Sequence, residues 1–305
     1  MAQVRKLKLN NGVEVPIIGS GSWAPPERRP AVKDWIGTAL QAGFRHIDTA
    51  LGYGTEQYVG EAVRASGIPR EEVFITTKLP WNHHDKVKES FEESLNNLGL
   101  GYIDLYLMHW PQFVKYDSEG KPVIKDGVWQ TRDDVTFNQS WAEMEKLLDT
   151  GKVRAIGVSN FSEKTLDQLL KTAKVVPAVN QVELHPYLSQ NGLKKYCDEK
   201  GIVLTAYTPS GYSEVRNDPV IVEIAKKHNV TPNQVTLAWH LSRDTIIVPK
   251  SENVERQKEN INVPLVKLDK EDIAKINALD KNQRICNKAD ATGKVYGWTY
   301  EQFGW

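Results

Sequence analysis

Short apolar runs alternate with amphipathic stretches along most of the chain. The runs of strand length cover residues 44–48, 73–78, 103–109, 153–159, 178–184, 202–207 and 245–249, and a shorter one near 17–23 makes eight. Helical patterns separate them. In residues 85–100, for example, apolar side chains recur at Val87, Phe91, Leu95 and Leu98. This order predicts a repeated strand–helix unit.

Each strand followed by a helix favours a parallel sheet buried on both faces. A doubly wound sheet has the same alternation, but its GxGxxG fingerprint is missing, since "GSGSW" at 19–23 lacks the third glycine at its place. We therefore predict an α/β fold, a (β/α)8 TIM barrel. Alternation around Asn11-Gly12 predicts an N-terminal β-hairpin before it. In residues 162–173, Ser162 is expected to cap a helix whose first turn includes Thr165.

No linker or low-complexity tract divides the 305 residues, so residues 1–305 are expected to form one domain. The 39 basic and 39 acidic residues balance, which gives no argument for nucleic acid or an anionic membrane as partner. Two distant cysteines without CxxC spacing fit a reducing compartment, and we expect no metal site. No apolar run reaches about 20 residues and the N-terminus lacks an apolar signal region, so a cytoplasmic monomer is expected.

Polar or aromatic side chains close six consecutive predicted strands. They are Asp48, Lys78, His109, the pair Ser159-Asn160, Gln181 with Glu183, and Tyr207. Taken singly, an Asp is more often a cap or turn former, a Lys a surface ion pair, and a His a satisfied core residue. In a parallel barrel all of these strand ends lie at one rim, where active sites are found. Together they predict a site.

Four of the residues near this rim form a chemically consistent unit. A tyrosine titrates near 10, and a nearby ammonium stabilises its phenolate, so Lys78 is expected to lower the pKa of Tyr53. Asp48 would keep Lys78 charged. Tyr53 would then act as a general acid toward a carbonyl oxygen, and His109 would orient that oxygen with a hydrogen bond. Because no side chain supplies a hydride, a redox cofactor must.

Three long motifs carry a resemblance to the aldo-keto reductases. They are "GFRHIDTALGYGTEQYVGEA" (43–62), "VRAIGVSNFS" (153–162) and "VPKSENVERQKEN" (248–260). The general pattern is similar to fungal and yeast-type reductases of glycerol, glyceraldehyde and sugar aldehydes. The resemblance implies a catalytic tetrad of Asp48, Tyr53, Lys78 and His109, with Tyr53 as the proton donor.

The resemblance also implies a nicotinamide cofactor, NADPH, with NADH as a weaker alternative. The implied cofactor contacts are Trp23, Asp48, Ser159, Asn160, Gln181, Tyr207, Thr208, Lys250, Ser251, Asn253, Arg256, Glu259 and Asn260. Lys250, Ser251, Asn253 and Arg256 open a helix after strand eight, a place suited to the 2′-phosphate. The alternative for this cluster is an ion pair between Arg256 and Glu252 or Glu255. The loop after Tyr207 looks short, which predicts a fast cofactor exchange.

The expected substrate is a small carbonyl compound in an aromatic pocket. The implied substrate contacts are Trp23, Tyr53, Trp81, His109, Trp110, Trp129 and Trp298, with specificity set by residues 111–137 and by a C-terminal loop, 284–305. Two other classes remain as alternatives. One is a cofactor-binding regulatory or structural protein on the same fold with little turnover. The other is a barrel isomerase or lyase that uses Lys78 as a Schiff base.

Overall fold

Eight parallel strands follow one another in chain order around a barrel. The computed structural model describes residues 4–305, so the first three residues of the predicted domain lie outside it. The barrel strands, numbered here one to eight, are Ser20–Gly21, His46–Asp48, Phe74–Leu79, Ile103–Met108, Val153–Ser159, Val179–Glu183, Val203–Tyr207 and Ile246–Ile247. Each predicted strand overlaps one of them, with Phe74–Leu79 ending one residue beyond its predicted range, and the predicted barrel is confirmed.

Hydrogen bonds between the first and eighth strands close the barrel. Ile18 forms a parallel bridge with Ile247, the Gly19 N–H donates to the Ile247 carbonyl at 2.8 Å, and the Gly21 N–H donates to the Pro249 carbonyl at 3.1 Å. Nearly every residue of the longer strands is buried, as expected for a sheet covered on its outer face and packed within. The carboxyl ends of all eight strands therefore share one rim.

Helices follow the strands and cover the barrel. They are α1 Val32–Gln41, α2 Glu56–Ala65, α3 Val87–Leu98, α4 Phe137–Leu147, α5 Glu163–Leu170, α6 Asn191–Glu199, α7 Tyr212–Arg216, α8 Pro219–His228, α9 Pro232–Leu241, α10 Val254–Ile261, α11 Lys270–Asn277 and α12 Tyr300–Phe303. Short 3₁₀ turns occupy Pro26–Ala31, Leu51–Tyr53, Arg70–Glu72, Leu148–Thr150 and Val263–Leu265.

The predicted cap of α5 is confirmed, although the helix is shorter than the 162–173 pattern. The Thr165 N–H donates to Ser162 Oγ at 3.2 Å, and the Ser162 N–H donates to Thr165 Oγ1 at 2.8 Å. Thr165 thus takes the reciprocal position that Glu or Gln holds in most capping boxes.

The N-terminal hairpin is confirmed and lies at the opposite end of the barrel from the rim. Its strands Lys6–Lys8 and Glu14–Pro16 pair antiparallel. Its turn contacts the beginnings of two barrel strands: Asn10 donates to the Pro177 carbonyl and Asn11 to the Arg154 carbonyl. The hairpin therefore covers the bottom and leaves the rim to the loops.

The two predicted specificity segments contain small antiparallel pairs. In the loop after strand four, Phe113–Val114 pairs with Thr131–Arg132, and Ile124–Lys125 pairs with Val128–Trp129. In the C-terminal segment, Lys294–Val295 pairs with Trp298–Thr299.

Among residues 4–305, no helix has the length and apolar character that a bilayer crossing requires.

Candidate active site

Asp48 and Lys78 form a buried ion pair at the ends of neighbouring strands. Lys78 Nζ donates to Asp48 Oδ1 at 2.7 Å and to the Thr49 carbonyl at 2.8 Å. Lys78 is fully buried and Asp48 is 3% exposed. Burial lowers the pKa of Lys78, and the nearby Asp48 carboxylate, which raises it, offsets this only in part.

Tyr53 and His109 complete the predicted tetrad. Tyr53 ends the turn Leu51–Tyr53 just after strand two, and the Lys78 ammonium lies 5.1 Å from the centre of its ring. The Tyr53 and His109 rings meet edge to face, with centroids 5.5 Å apart. Residues from three strand ends and one turn are therefore brought together at the rim.

The electrostatics of Tyr53 differ from the expectation that Lys78 lowers its pKa. Burial raises the pKa of the Tyr53 phenol well above 10, and the Asp48 charge adds to this. Asp48 pairs closely with Lys78 and thereby offsets its field at Tyr53. Burial, followed by the Lys78 charge, holds the pKa of His109 well below 6.5. At neutral pH the site therefore presents a protonated phenol and a neutral imidazole.

The predicted carboxamide-binding residues adjoin this tetrad. Ser159 and Gln181 lie side by side in the register of strands five and six. Gln181 Nε2 donates to Asp48 Oδ2 at 2.7 Å, while Ser159 Oγ donates to the Gln181 carbonyl at 2.8 Å. Asn160 follows with a φ of 64°, the left-handed conformation that asparagine tolerates better than most residues. Hydroxyl and amide groups thus line the rim beside Asp48.

Tyr207 connects to the same group through hydrogen bonds. Its phenol donates to Asn160 Oδ1 at 2.6 Å, and Asn160 Nδ2 donates to the His109 carbonyl at 2.9 Å. Thr208, with a φ of 50°, turns the chain away immediately afterwards. Residues 208–218, predicted to be a short loop, contain α7, whose Val215 is buried.

The predicted phosphate-binding residues lie on the loop and first turn of α10. Asn253 caps this helix by accepting the Arg256 N–H at 3.0 Å. The alternative ion pairs of Arg256 are absent among the described residues. Glu252 instead pairs with Lys250 and Arg28, and Glu255 pairs with Lys258. The exposed Arg256 side chain therefore keeps its charge available at this helix start.

The other predicted members of this group have different surroundings. Ser251 Oγ accepts the Asn253 N–H at 3.2 Å. Asn260 is 4% exposed, and its Oδ1 accepts from Asn233 Nδ2 at 2.7 Å. Glu259 is half-buried, and its backbone carbonyl accepts from Gln234 Nε2 at 3.4 Å. These residues lie on or just before α10.

An aromatic cluster stands beside the tetrad. Trp81 contacts Trp110 and Trp129, with ring centroids 6.0 and 5.7 Å away, and the Trp110 centroid is 6.5 Å from that of His109. Trp298 packs on Phe303, with ring centroids 5.3 Å apart, and contacts no other aromatic ring in the described chain. Trp23 is 56% exposed, as expected of a side chain at the open edge of a pocket.

Sequence patterns did not single out three side chains of this site, Tyr116, Asn287 and Tyr296, and they placed Glu183 at a strand end without a role. Tyr296 lies 4.7 Å from Trp81, and Tyr116 accepts a hydrogen bond from Trp81. Glu183 accepts a backbone N–H of the C-terminal segment, and Asn287 donates a hydrogen bond to the Tyr207 phenol. Glu183 carried a signal, a polar side chain in a buried strand next to Gln181. The resemblance placed the segment of Asn287 and Tyr296 at the pocket, but no local pattern distinguished these two side chains.

Comparisons with known proteins agree with this arrangement. A model described as the aldo/keto reductase family matches residues 17–281. The chain is 44% identical over 290 residues to a glycerol 2-dehydrogenase (NADP(+)) of Saccharomyces cerevisiae, covering 91% of each chain. It is 41% identical to aldose reductase B of Dictyostelium discoideum over 93% of this chain and 95% of that one. It is 39% identical to a D-galacturonate reductase of Hypocrea jecorina over 97% and 95%. The chain therefore belongs to the aldo/keto reductase family.

Proposed function

We propose that this protein reduces aldehydes and ketones to alcohols with NADPH, reversibly, and that Tyr53 is the proton donor. The observation that carries the proposal is the buried Lys78–Asp48 pair beside Tyr53 and His109 at the rim. A protonated phenol beside a neutral hydrogen-bond donor can protonate a carbonyl oxygen and stabilise the charge that develops on it.

The four side chains divide the chemistry at the carbonyl oxygen. Nicotinamide, when bound, supplies the hydride to the carbonyl carbon. The neutral imidazole of His109 donates an N–H to the oxygen and stabilises the negative charge that develops there. Tyr53 transfers its phenolic proton to that oxygen. The Lys78 ammonium lies 5.1 Å from the centre of the ring that becomes the phenolate, and Asp48 holds the ammonium in position.

The rim residues fit a nicotinamide cofactor. The hydroxyl and amide groups of Ser159, Asn160 and Gln181 offer the donors and acceptors that fix a carboxamide, and Tyr207 offers an aromatic face. Asp48, Trp23 and Thr208 border the same region. At α10, Arg256 has no acidic partner among the described residues and lies at a capped helix start, which suits a 2′-phosphate. This supports NADPH over NADH. Lys250, Ser251 and Asn253 would share the 2′-phosphate with Arg256, and Glu259 and Asn260 would contact the adenine.

The proposed substrates are small carbonyl compounds such as glyceraldehyde, sugar aldehydes and aromatic aldehydes. The aromatic walls from Trp81, Trp110 and Trp129, with Trp23 and Trp298 farther out, support an apolar-sided pocket. Relatives named for glycerol, aldose and D-galacturonate support sugar-derived carbonyls. A Schiff base on Lys78 is disfavoured because its amine is paired with Asp48.

We further propose that residues 1–305 act as one domain and as a monomer in the cytoplasm, without a nucleic-acid partner. The balanced charge supports the absence of a nucleic-acid partner, and the two free cysteines support a reducing compartment. The regulatory alternative, cofactor binding without turnover, is not favoured, because all four tetrad side chains are present and assembled.

The test is loss of NADPH absorbance with glyceraldehyde and a panel of aromatic aldehydes, followed by NADH in place of NADPH. Tyr53→Phe is expected to lower kcat by about 100-fold or more, with NADPH binding retained. Tyr58→Phe, on the half-exposed face of α2, is the matched control and should turn over normally. If the wild-type protein binds NADPH but turns over no carbonyl compound, the result would favour the regulatory alternative.

A further inference from the structure

A buried carboxylate binds the beginning of the C-terminal segment to the barrel. Glu183, the last residue of strand six, is fully buried. Its Oε1 accepts the backbone N–H groups of Ile285 at 2.5 Å and Cys286 at 2.9 Å, and its Oε2 accepts that of Asn287 at 3.3 Å. We call residues 285–287 the clamped segment. One carboxylate therefore binds a segment that lies about a hundred residues away along the chain.

The Glu183 carboxylate stays charged in this position. Burial by itself would raise its pKa, but the hydrogen bonds from His185 and from the backbone of Cys286 and Ile285 lower the pKa overall. A buried charge persists where donors replace the lost water. The clamp is therefore present at neutral pH.

The clamped segment delivers one side chain to the candidate active site. Asn287 Nδ2 donates to the Tyr207 phenol, which donates to Asn160 Oδ1 at 2.6 Å. Asn160 Nδ2 in turn donates to the His109 carbonyl at 2.9 Å. All three bonds run in one direction, so each strengthens the next. Burial raises the pKa of Tyr207, which keeps the phenol protonated as the chain requires.

The same clamp fixes one end of the segment that carries aromatic walls of the pocket. A second attachment lies at its other end, where Ser162 Oγ donates to the Phe303 carbonyl at 2.5 Å and Lys164 Nζ to the Glu301 carbonyl at 2.7 Å. Tyr296, which packs 4.7 Å from Trp81, lies between the two attachments. Glu183 therefore holds the segment that carries aromatic side chains of the pocket and, through Asn287, also contacts the Tyr207 phenol indirectly.

We propose that Glu183 is a positioning residue that couples the C-terminal substrate segment to the nicotinamide face of the site, acting through Asn287 and Tyr207. The inference rests on the proposed function, since it takes Tyr207 as the ring that holds the nicotinamide. It deepens that function by making cofactor affinity depend on how the C-terminal segment is seated. A purely structural clamp would leave cofactor affinity unchanged.

The experiment combines cofactor titration, steady-state kinetics and hydrogen exchange in the full chain. Glu183→Gln replaces an acceptor oxygen with a donor, so the amides of residues 285–287 should exchange faster, while the Kd for NADPH and the KM for the carbonyl compound should each rise about tenfold. Asn287→Ala keeps the clamp and should weaken NADPH alone, several-fold. Glu199→Gln, an exposed glutamate on α6, is the matched control.

A double-mutant cycle tests whether Asn287 acts through Tyr207. The effects of Asn287→Ala and Tyr207→Phe on the Kd for NADPH should be clearly less than multiplicative. Multiplicative effects, or faster exchange in Glu183→Gln with Kd and KM within twofold of wild type, would overturn the coupling. If Glu183→Gln does not fold, Asn287→Ala still decides the question. A wild-type chain that binds no NADPH would instead overturn the proposed function itself, which separates the two failures.

Discussion

Lys78 Nζ lies 2.7 Å from Asp48 Oδ1, and the only other acceptor that the described structure gives this ammonium is the Thr49 carbonyl. The pair joins strands two and three at the rim. Because Lys78 is fully buried, its charge depends on Asp48 for stability as well as for position.

Removing one partner of this pair should therefore lower the free energy of unfolding more than removing both. Asp48→Asn leaves an unpaired buried ammonium and is expected to lower the free energy of unfolding by about 3–5 kcal/mol. The double variant Asp48→Asn with Lys78→Met should recover much of that loss, while carbonyl reduction stays abolished. Urea unfolding and NADPH oxidation measure the two effects. Equal stability of the single and double variants would contradict this account.

The pH profile of turnover should lack the break that a histidine ordinarily produces. The pKa of His109 is held well below 6.5 and that of Tyr53 well above 10. Both groups therefore keep their working protonation states between these limits, so kcat/KM for carbonyl reduction should be level from pH 6.5 to pH 9. A fall in kcat/KM with an apparent pKa between 6 and 7 that disappears in His109→Gln would show that His109 titrates normally.

Acid should destabilise the fold through buried neutral histidines. Burial lowers the pKa of His46 and His84 to about 4 and that of His240 to about 3, from 6.5. Below pH 6.5 these histidines bind protons in the unfolded chain but not in the folded one, so stability is lost as pH falls from 6.5 toward 4. Each histidine contributes a slope of about 1.4 kcal/mol per pH unit.

Urea unfolding at pH 7, 6 and 5 measures this loss. His84→Gln should reduce the slope of stability against pH by about one histidine's share. An equal slope in this variant would mean that His84 binds protons alike in the folded and unfolded protein.

Cofactor preference should depend on Arg256. Arg256→Ala removes the guanidinium proposed to bind the 2′-phosphate, so the KM for NADPH should rise on the order of tenfold or more, while the KM for NADH changes little. Lys258→Ala, on the same helix, is the matched control, because Lys258 is already paired with Glu255 at 2.9 Å. Equal effects on both cofactors would place Arg256 outside the phosphate site.

The fold could be predicted from the sequence because its signals are local. Apolar runs, helical spacing and the turn at Asn11-Gly12 gave eight strands and the hairpin, with strand bounds off by a few residues at the first and eighth. The strand-end positions of Asp48, Lys78 and His109 also follow from the sequence, since parallel strands must end at one rim.

The tertiary structure decided what depends on contacts between distant segments. The raised pKa of Tyr53 follows from burial and from the Asp48 charge, which no local pattern reveals. Glu252 pairs with Arg28, more than two hundred residues away, and Arg256 has no acidic partner among the described residues. The Glu183 clamp and the Asn287–Tyr207 bond exist only because the C-terminal segment folds over the rim. Sequence periodicity fixes which face of an element is buried, whereas side-chain partners and local electric fields are set by three-dimensional packing.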